Sequence, residues 1–145
     1  MTILDKIKSF FKNEKDSTNS IISPYQKLGG EEILRELVTS FYHHMDTLFE
    51  AKECRDLHPK SLKGSEEKLF MFLSGWLGGP SLYIEKYGHP RMRMRHMPFK
   101  IGEREKDQWL LCMHNALKAL ELESDLEQEL WQAFRRFAQH MVNSK

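Results

Sequence analysis

Apolar side chains recur at three- and four-residue steps along four long stretches of this chain, a spacing that constrains them to be helices. The first begins at Gly30 and carries Ile33, Leu34, Leu37, Val38, Phe41, Tyr42, Met45, Leu48 and Phe49. The second runs from about residue 62 to 77, with Leu69, Phe72, Leu73 and Trp76 on one stripe and Gly78-Gly79-Pro80 as its stop. The third starts after Gly102 and carries Trp109, Leu110, Met113, Ala116, Leu117 and Leu120; the fourth carries Leu126, Leu130, Trp131, Phe134, Phe137, Ala138 and Met141. A 3.6-residue period puts each set on one face, and four such faces are buried most simply against one another. No stretch reads as a strand and no internal repeat is visible, so an all-α fold is predicted.

A chain of 145 residues, 40% of them hydrophobic, suits one domain with an ordinary core. Residues 24–145 are expected to form it, with 1–23 as an amphipathic helical extension and linker. In that extension Ile3, Leu4, Ile7, Phe10 and Phe11 oppose Lys6, Lys8 and Lys12, ahead of the polar run Asn13 to Ser20. Docking on the domain's own surface is its default reading. A net charge of +1 argues against bulk nucleic-acid binding, which depends on neutralising many phosphates. Cys54 and Cys112 lack CxxC spacing, so no disulfide framework or zinc site is indicated, and a reducing cytoplasm is the expected location. No apolar run is long enough for a bilayer span and no secretory signal is recognised, so export is not expected, and membrane attachment or dimer contact through the N-terminal segment is the alternative to its docking on the domain.

The chemistry concentrates between Gly88 and Gly102, where His96 sits among Arg91, Arg93, Arg95, Met92, Met94, Phe99 and Ile101. A neutral imidazole, cations and apolar side chains in one segment are what a haem requires: an iron ligand, partners for its propionates, and cover for its faces. Pro98 disfavours helical geometry at Met97, so a helix begun after Pro90 should end near His96. The alternating arginines and methionines equally suit a solvated face, an exposed strand or a phosphate-binding patch. Only a matching pocket elsewhere decides between them. The rest of the segment from Gly78 to Gly102 is expected to be mostly irregular, and a connection of that length in a small helical domain is usually functional or disordered.

Taken together, the four helices, the Gly29-Gly30 and Gly78-Gly79 breaks, Phe41-Tyr42, Met71-Phe72-Leu73, His96-Met97-Pro98-Phe99, and Trp109 within the run from Asp107 to His114 resemble a group II truncated haemoglobin. The resemblance covers roughly residues 24–120. It implies a truncated globin fold, a two-over-two helical sandwich around haem b, and chemistry with diatomic gases. It makes His96 the proximal iron ligand and places Tyr42, His58 and Trp109 on the opposite, ligand-binding side. Leu69 and Ser65 fill the other distal positions, Lys68, Arg95 and Tyr83 reach the propionates, and Phe72, Trp76, Met94, Phe99 and Ile101 wall the porphyrin. His58 departs from the family, where tyrosine or phenylalanine is more frequent. Either His58 or Tyr42, the latter as phenolate, is a candidate sixth ligand of ferric iron, which requires the stretch 52–63 to move.

Tyr42, Trp109 and His58 supply an O–H, an N–H and an imidazole around one ligand site. Such a network slows escape of a bound gas, which fits redox chemistry such as conversion of nitric oxide to nitrate better than oxygen transport. Peroxidase-like activity and gas sensing are the nearest variants, and whether the protein is an enzyme at all is left open. The expected ligands are O2, NO, CO or peroxide, with an external reductase as partner and a monomer or weak dimer as the assembly. From another class, a haem-free helical interaction module would use the arginine run to bind an anionic partner.

Overall fold

The structure, a computed structural model, describes residues 2–4 and 22–145. Eight α-helices are described in the second span: α1 (Pro24–Leu28), α2 (Gly30–Thr47), α3 (Lys52–Asp56), α4 (Lys63–Trp76), α5 (Leu82–Tyr87), α6 (Met92–His96), α7 (Glu103–Ala119) and α8 (Ser124–Met141). A single 3₁₀ turn, Phe49–Ala51, joins α2 to α3. No strand occurs among the described residues.

The four long helices fall where the apolar spacing predicts. On α2 the buried residues are Leu34, Leu37, Val38, Phe41, Tyr42 and Met45, at alternating steps of three and one, with Glu31 and Glu32 in the first turn, where carboxylates suit the positive end of the helix dipole. The helix ends because Leu48 turns extended, with φ −82° and ψ 121°. On α8 the corresponding stripe is Leu130, Ala133, Phe134, Ala138 and Met141. Helix α2 packs on both α4 and α7, and α7 packs on α8, so the pair α2/α4 lies over the pair α7/α8. Phe41, Phe134, Leu73, Met113, Leu117 and Leu130 fill the contact between the pairs and are almost wholly shielded from solvent. Truncating one such leucine to alanine removes about 2–5 kcal/mol of stability.

Glycine is required at two junctions. Gly29 adopts φ 124° and reverses the chain between α1 and α2. Gly79 lies against the ring of Tyr25, so near that a Cβ would sit 2.5 Å from a ring carbon. The expected N-terminal extension is described only in part: Ile3 is buried in the core cluster and Leu4 lies close to Gly78. Ile7, Phe10, Phe11, the three lysines and the run 13–20 lie outside the described residues.

The stretch from Gly78 to Gly102 is mostly non-helical, as expected, although α5 and α6 occupy eleven of its residues. Two expectations need correction. Met97 keeps helical angles, φ −58° and ψ −32°, despite the proline that follows. The helix still ends at His96 because Pro98 has no N–H to carry the ladder onward, leaving Met97 N–H to make a tighter bond to Met94 O at 3.2 Å. The loop 52–63 opens with α3, which the sequence pattern did not announce.

Candidate functional site

Between α2, α3, α4, α6, α7 and α8 lies a cavity of about 480 Å3. Its lining gathers Tyr42, His58, Ser65, Lys68, Leu69, Phe72, Tyr83, Arg95, His96, Phe99, Ile101 and Trp109, twelve of the fourteen residues named from the sequence. Most come from helical faces: Ser65, Lys68, Leu69 and Phe72 stand at steps of three and one on α4, and Met92, Arg95 and His96 do the same on α6, while His58, Phe99 and Ile101 come from the connections between helices.

Two residues are placed elsewhere. Met94 is 56% exposed and points away, because it lies two residues from His96, on the other side of α6. Trp76 sits one helical turn beyond Phe72 and packs behind it, against Phe134 at 5.3 Å and Phe137 at 5.7 Å between ring centroids. Conversely, Cys54, Leu57, Pro59, Met92, Glu105, Lys106, Phe137, Ala138 and Met141 reach the lining without having been singled out for it. Phe137, Ala138 and Met141 belong to the apolar stripe of α8, and only the crossing of α8 over the cavity distinguishes them from core.

Two imidazoles, carried by different helical segments, share one arrangement. His96 Nδ1 donates to Met92 O at 2.6 Å and His58 Nδ1 to Cys54 O at 2.9 Å. A carbonyl only accepts, so the proton of each ring is held on Nδ1 and the lone pair stays on Nε2. This is the second-shell bond that orients a metal-ligating histidine. Burial lowers the pKa of His58, with Arg55 and His96 adding to the effect against the opposing Cys54 carbonyl, so its neutral form is favoured.

Tyr42 and Trp109 are held by one ring, Phe41, which meets them edge-on at 4.8 and 5.0 Å. Neither the Tyr42 hydroxyl nor the Trp109 indole N–H has a protein hydrogen-bond partner among the described residues, so both donors remain available to a guest in the cavity. Tyr42 and His58 are neighbours, with ring centroids 5.9 Å apart. Burial pushes the Tyr42 phenol well above its ordinary pKa, which opposes a phenolate.

Arg95 donates from Nε to Pro90 O at 2.6 Å and from Nη2 to Tyr87 O and His89 O at 3.3 and 3.2 Å, leaving its Nη1 protons for a ligand. Its guanidinium also lies 5.5 Å from the centroid of the Tyr83 ring. Lys68 is exposed at the rim with Nζ 5.6 Å from the Tyr87 ring centroid. Cys54 is buried with its pKa pushed up to about 12, so it stays protonated and inert.

A profile of the family described as bacterial-like globin matches residues 23–143. The chain belongs to the bacterial-like globins. It is 37% identical over 124 residues to the group 2 truncated hemoglobin YjbI of Bacillus subtilis, an alignment covering 86% of this chain and 91% of that protein. Among solved structures it is similar to the group II 2-on-2 hemoglobin of Agrobacterium tumefaciens, with TM-score 0.85, 41% identity, and coverage of 89% of this chain and 100% of the other. It is also similar to the truncated oxygen-avid haemoglobin of Bacillus subtilis, with TM-score 0.77, 37% identity, and coverage of 83% and 99%. The globin fold here is therefore the truncated two-on-two form, and globin membership implies haem and small gaseous ligands. No described helix is long and apolar enough to cross a membrane.

The residues present fit a haem. The cavity lies within the usual range for ligand pockets, roughly 300–1,000 Å3, and joins an imidazole with a free Nε2 to apolar walls and rim cations.

Proposed function

We propose that this globin binds haem b through His96 and uses it for redox chemistry on diatomic gases, with conversion of nitric oxide to nitrate as the leading reaction. Haem supplies an iron that binds such gases and exchanges single electrons. The observation that carries the reading is the His96 imidazole, fixed by Met92 O with Nε2 free, in the same cavity as the unpartnered donors of Tyr42 and Trp109. Phe72, Phe99 and Ile101 would exclude water from the porphyrin, while Lys68, Tyr83 and Arg95 would meet its propionates.

On the ligand side, the Tyr42 O–H and Trp109 N–H would donate to a gas held in the cavity, and His58 Nε2 would accept a proton or hydrogen bond beside them. Three polar groups around one gas slow its escape. That favours reaction over delivery, and the oxygen-avid description of the Bacillus subtilis relative is consistent with it. Of the two candidate sixth ligands, His58 is favoured: its Nε2 already carries the lone pair, whereas Tyr42 must lose a proton against burial. Globin membership supports this reading over a haem-free interaction module.

Nitric oxide, dioxygen and one electron together make nitrate, so each turnover draws one electron from outside the chain. Stopped-flow mixing of the oxygenated protein with nitric oxide should yield nitrate stoichiometrically, and a failure to do so removes this reaction in favour of peroxide reduction or sensing. His96→Ala should abolish the native Soret band. An unchanged spectrum sinks the assignment of the iron ligand.

A further inference from the structure

Five cations and one acid lie between Leu82 and Gly102: Lys86, Arg91, Arg93, Arg95 and Lys100 against Glu85. This segment carries a net +4 in a chain whose formal charge is +1, so the rest of the chain is net negative. All five cationic residues are exposed. Ion pairs among the described residues join carboxylates to Arg35, Arg55, Arg104, Lys106 and Lys118, and to none of the five cations of this segment. Arg93 bonds only to backbone carbonyls, which fixes its direction and leaves its charge uncompensated, whereas Arg95 lines the cavity and belongs to the haem side.

Within the same segment Met94 and Met97 are 56% and 54% exposed. Neither lines the cavity, so a bound haem would leave them in solvent. Exposed methionines framed by arginines have the composition of an interface core, and methionine adapts its shape to a partner. The surface is the outer side of the short helix whose inner side presents His96, so one helix thickness, about 10 Å, separates it from the cavity.

The geometry points to this face as the docking surface for an acidic one-electron carrier protein of the flavin or iron–sulfur type. The inference rests on the haem reading above, which requires one electron per turnover from outside. In the step it serves, the carrier is oxidised by one electron and the haem iron is reduced from ferric to ferrous, and no bond forms or breaks. Positive charge on this face would steer the carrier and fix its orientation, while the methionines supply contact area that tolerates fast release. Four cations outside the cavity offer too few phosphate contacts for a nucleic-acid groove. An anionic bilayer is the remaining rival.

Three haem-loaded proteins test this: the parent, a Lys86→Glu/Lys100→Glu variant, and a Lys27→Glu/Lys52→Glu control with the same charge change on other exposed positions. The probe is an acidic plant-type [2Fe–2S] ferredoxin, titrated in its oxidised form by calorimetry and mixed anaerobically in its reduced form with the ferric protein. Binding and reduction of the parent and control should weaken with salt. In the Lys86/Lys100 variant both should fall about tenfold at low ionic strength, with the Soret band and reduction by dithionite unchanged. Equal affinity and rate in all three proteins overturns the proposal, as does reduction of the parent indifferent to salt. Phosphatidylserine vesicles bound by the parent and lost by the variant, with ferredoxin reduction unaffected, would assign the face to a membrane instead. Lack of any Soret band in the parent would sink the haem reading itself, so the two failures are distinct.

Discussion

Asn143 follows the last helix and ties the His96 segment to the rest of the protein. Its Oδ1 accepts the Ile101 N–H at 2.9 Å, and its Nδ2 donates to His96 O at 3.2 Å and Phe99 O at 2.9 Å. Asn143→Ala removes all three bonds. A net value of about 1 kcal/mol each, discounted because the Phe99 bond is exposed, gives a loss of about 2 kcal/mol. For 145 residues the unfolding entropy is about 0.3 kcal/mol/K, so Tm should fall by about 7 °C. Asn143→Asp keeps the bond from Ile101 N–H but sets a carboxylate against two carbonyls, and should be no more stable than the alanine variant. Thermal melts of the haem-loaded proteins, followed by far-ultraviolet circular dichroism and at the Soret band, measure both. If both variants melt within about 1 °C of the parent, the side-chain bonds add nothing and the reasoning is wrong.

Trp109→Phe keeps an aromatic ring, though a smaller one, and removes the indole N–H, so dioxygen should dissociate about tenfold faster, the equivalent of one hydrogen bond of about 1.4 kcal/mol; an unchanged rate after displacement by carbon monoxide refutes this. Gln108→Leu deprives the Cys54 N–H of its acceptor, 2.8 Å away, and should cost about 1–3 kcal/mol in denaturant unfolding, while a neutral result would show that water replaces the amide. The thiols of Cys54 and Cys112 have folded pKa values of about 12 and 11 against a reference of 9.0. Below pH 9 both states hold the protons and stability is unaffected; above it the unfolded chain releases them first, so stability should fall as pH rises from 9 toward 12. Replacing both cysteines by alanine should flatten that slope, and an identical slope in the variant excludes the thiols as its source.

Long-range order was legible wherever one helical face meets one partner. The helices α2, α4, α7 and α8 have stripes of 14 to 18 residues, long enough for period alone to mark them. Helix α3 has five residues and no stripe, and is secured from outside by Gln108, which accepts the Cys54 N–H, and by Asp46, which accepts from Arg55. No local pattern encodes those partners. Met94 stands two positions from His96 on a helix and so cannot share its face, which helical period alone dictates. Trp76 does continue the Phe72 stripe, and only the approach of Phe134 and Phe137 diverts it from the cavity.

The two histidine sides of the cavity are anchored on different supports, and this separates their properties. His58 is tied through the Cys54 carbonyl and N–H to Gln108, the neighbour of Trp109, so the ligand-side groups are braced together by α7. His96 is tied instead to the end of α8, through Asn143 and through Arg93, whose Nη1 donates to His140 O at 2.7 Å and Val142 O at 2.9 Å. A packed interior transmits strain along such bonds and not uniformly. Loosening Asn143 should therefore shift the iron–histidine stretch of the deoxy, haem-loaded protein and leave the stretch of bound carbon monoxide, which reads Tyr42, His58 and Trp109, in place. Gln108→Leu should do the reverse. If either variant moves both bands together, the two sides are coupled through the core, and the independent bracing inferred from these hydrogen bonds fails.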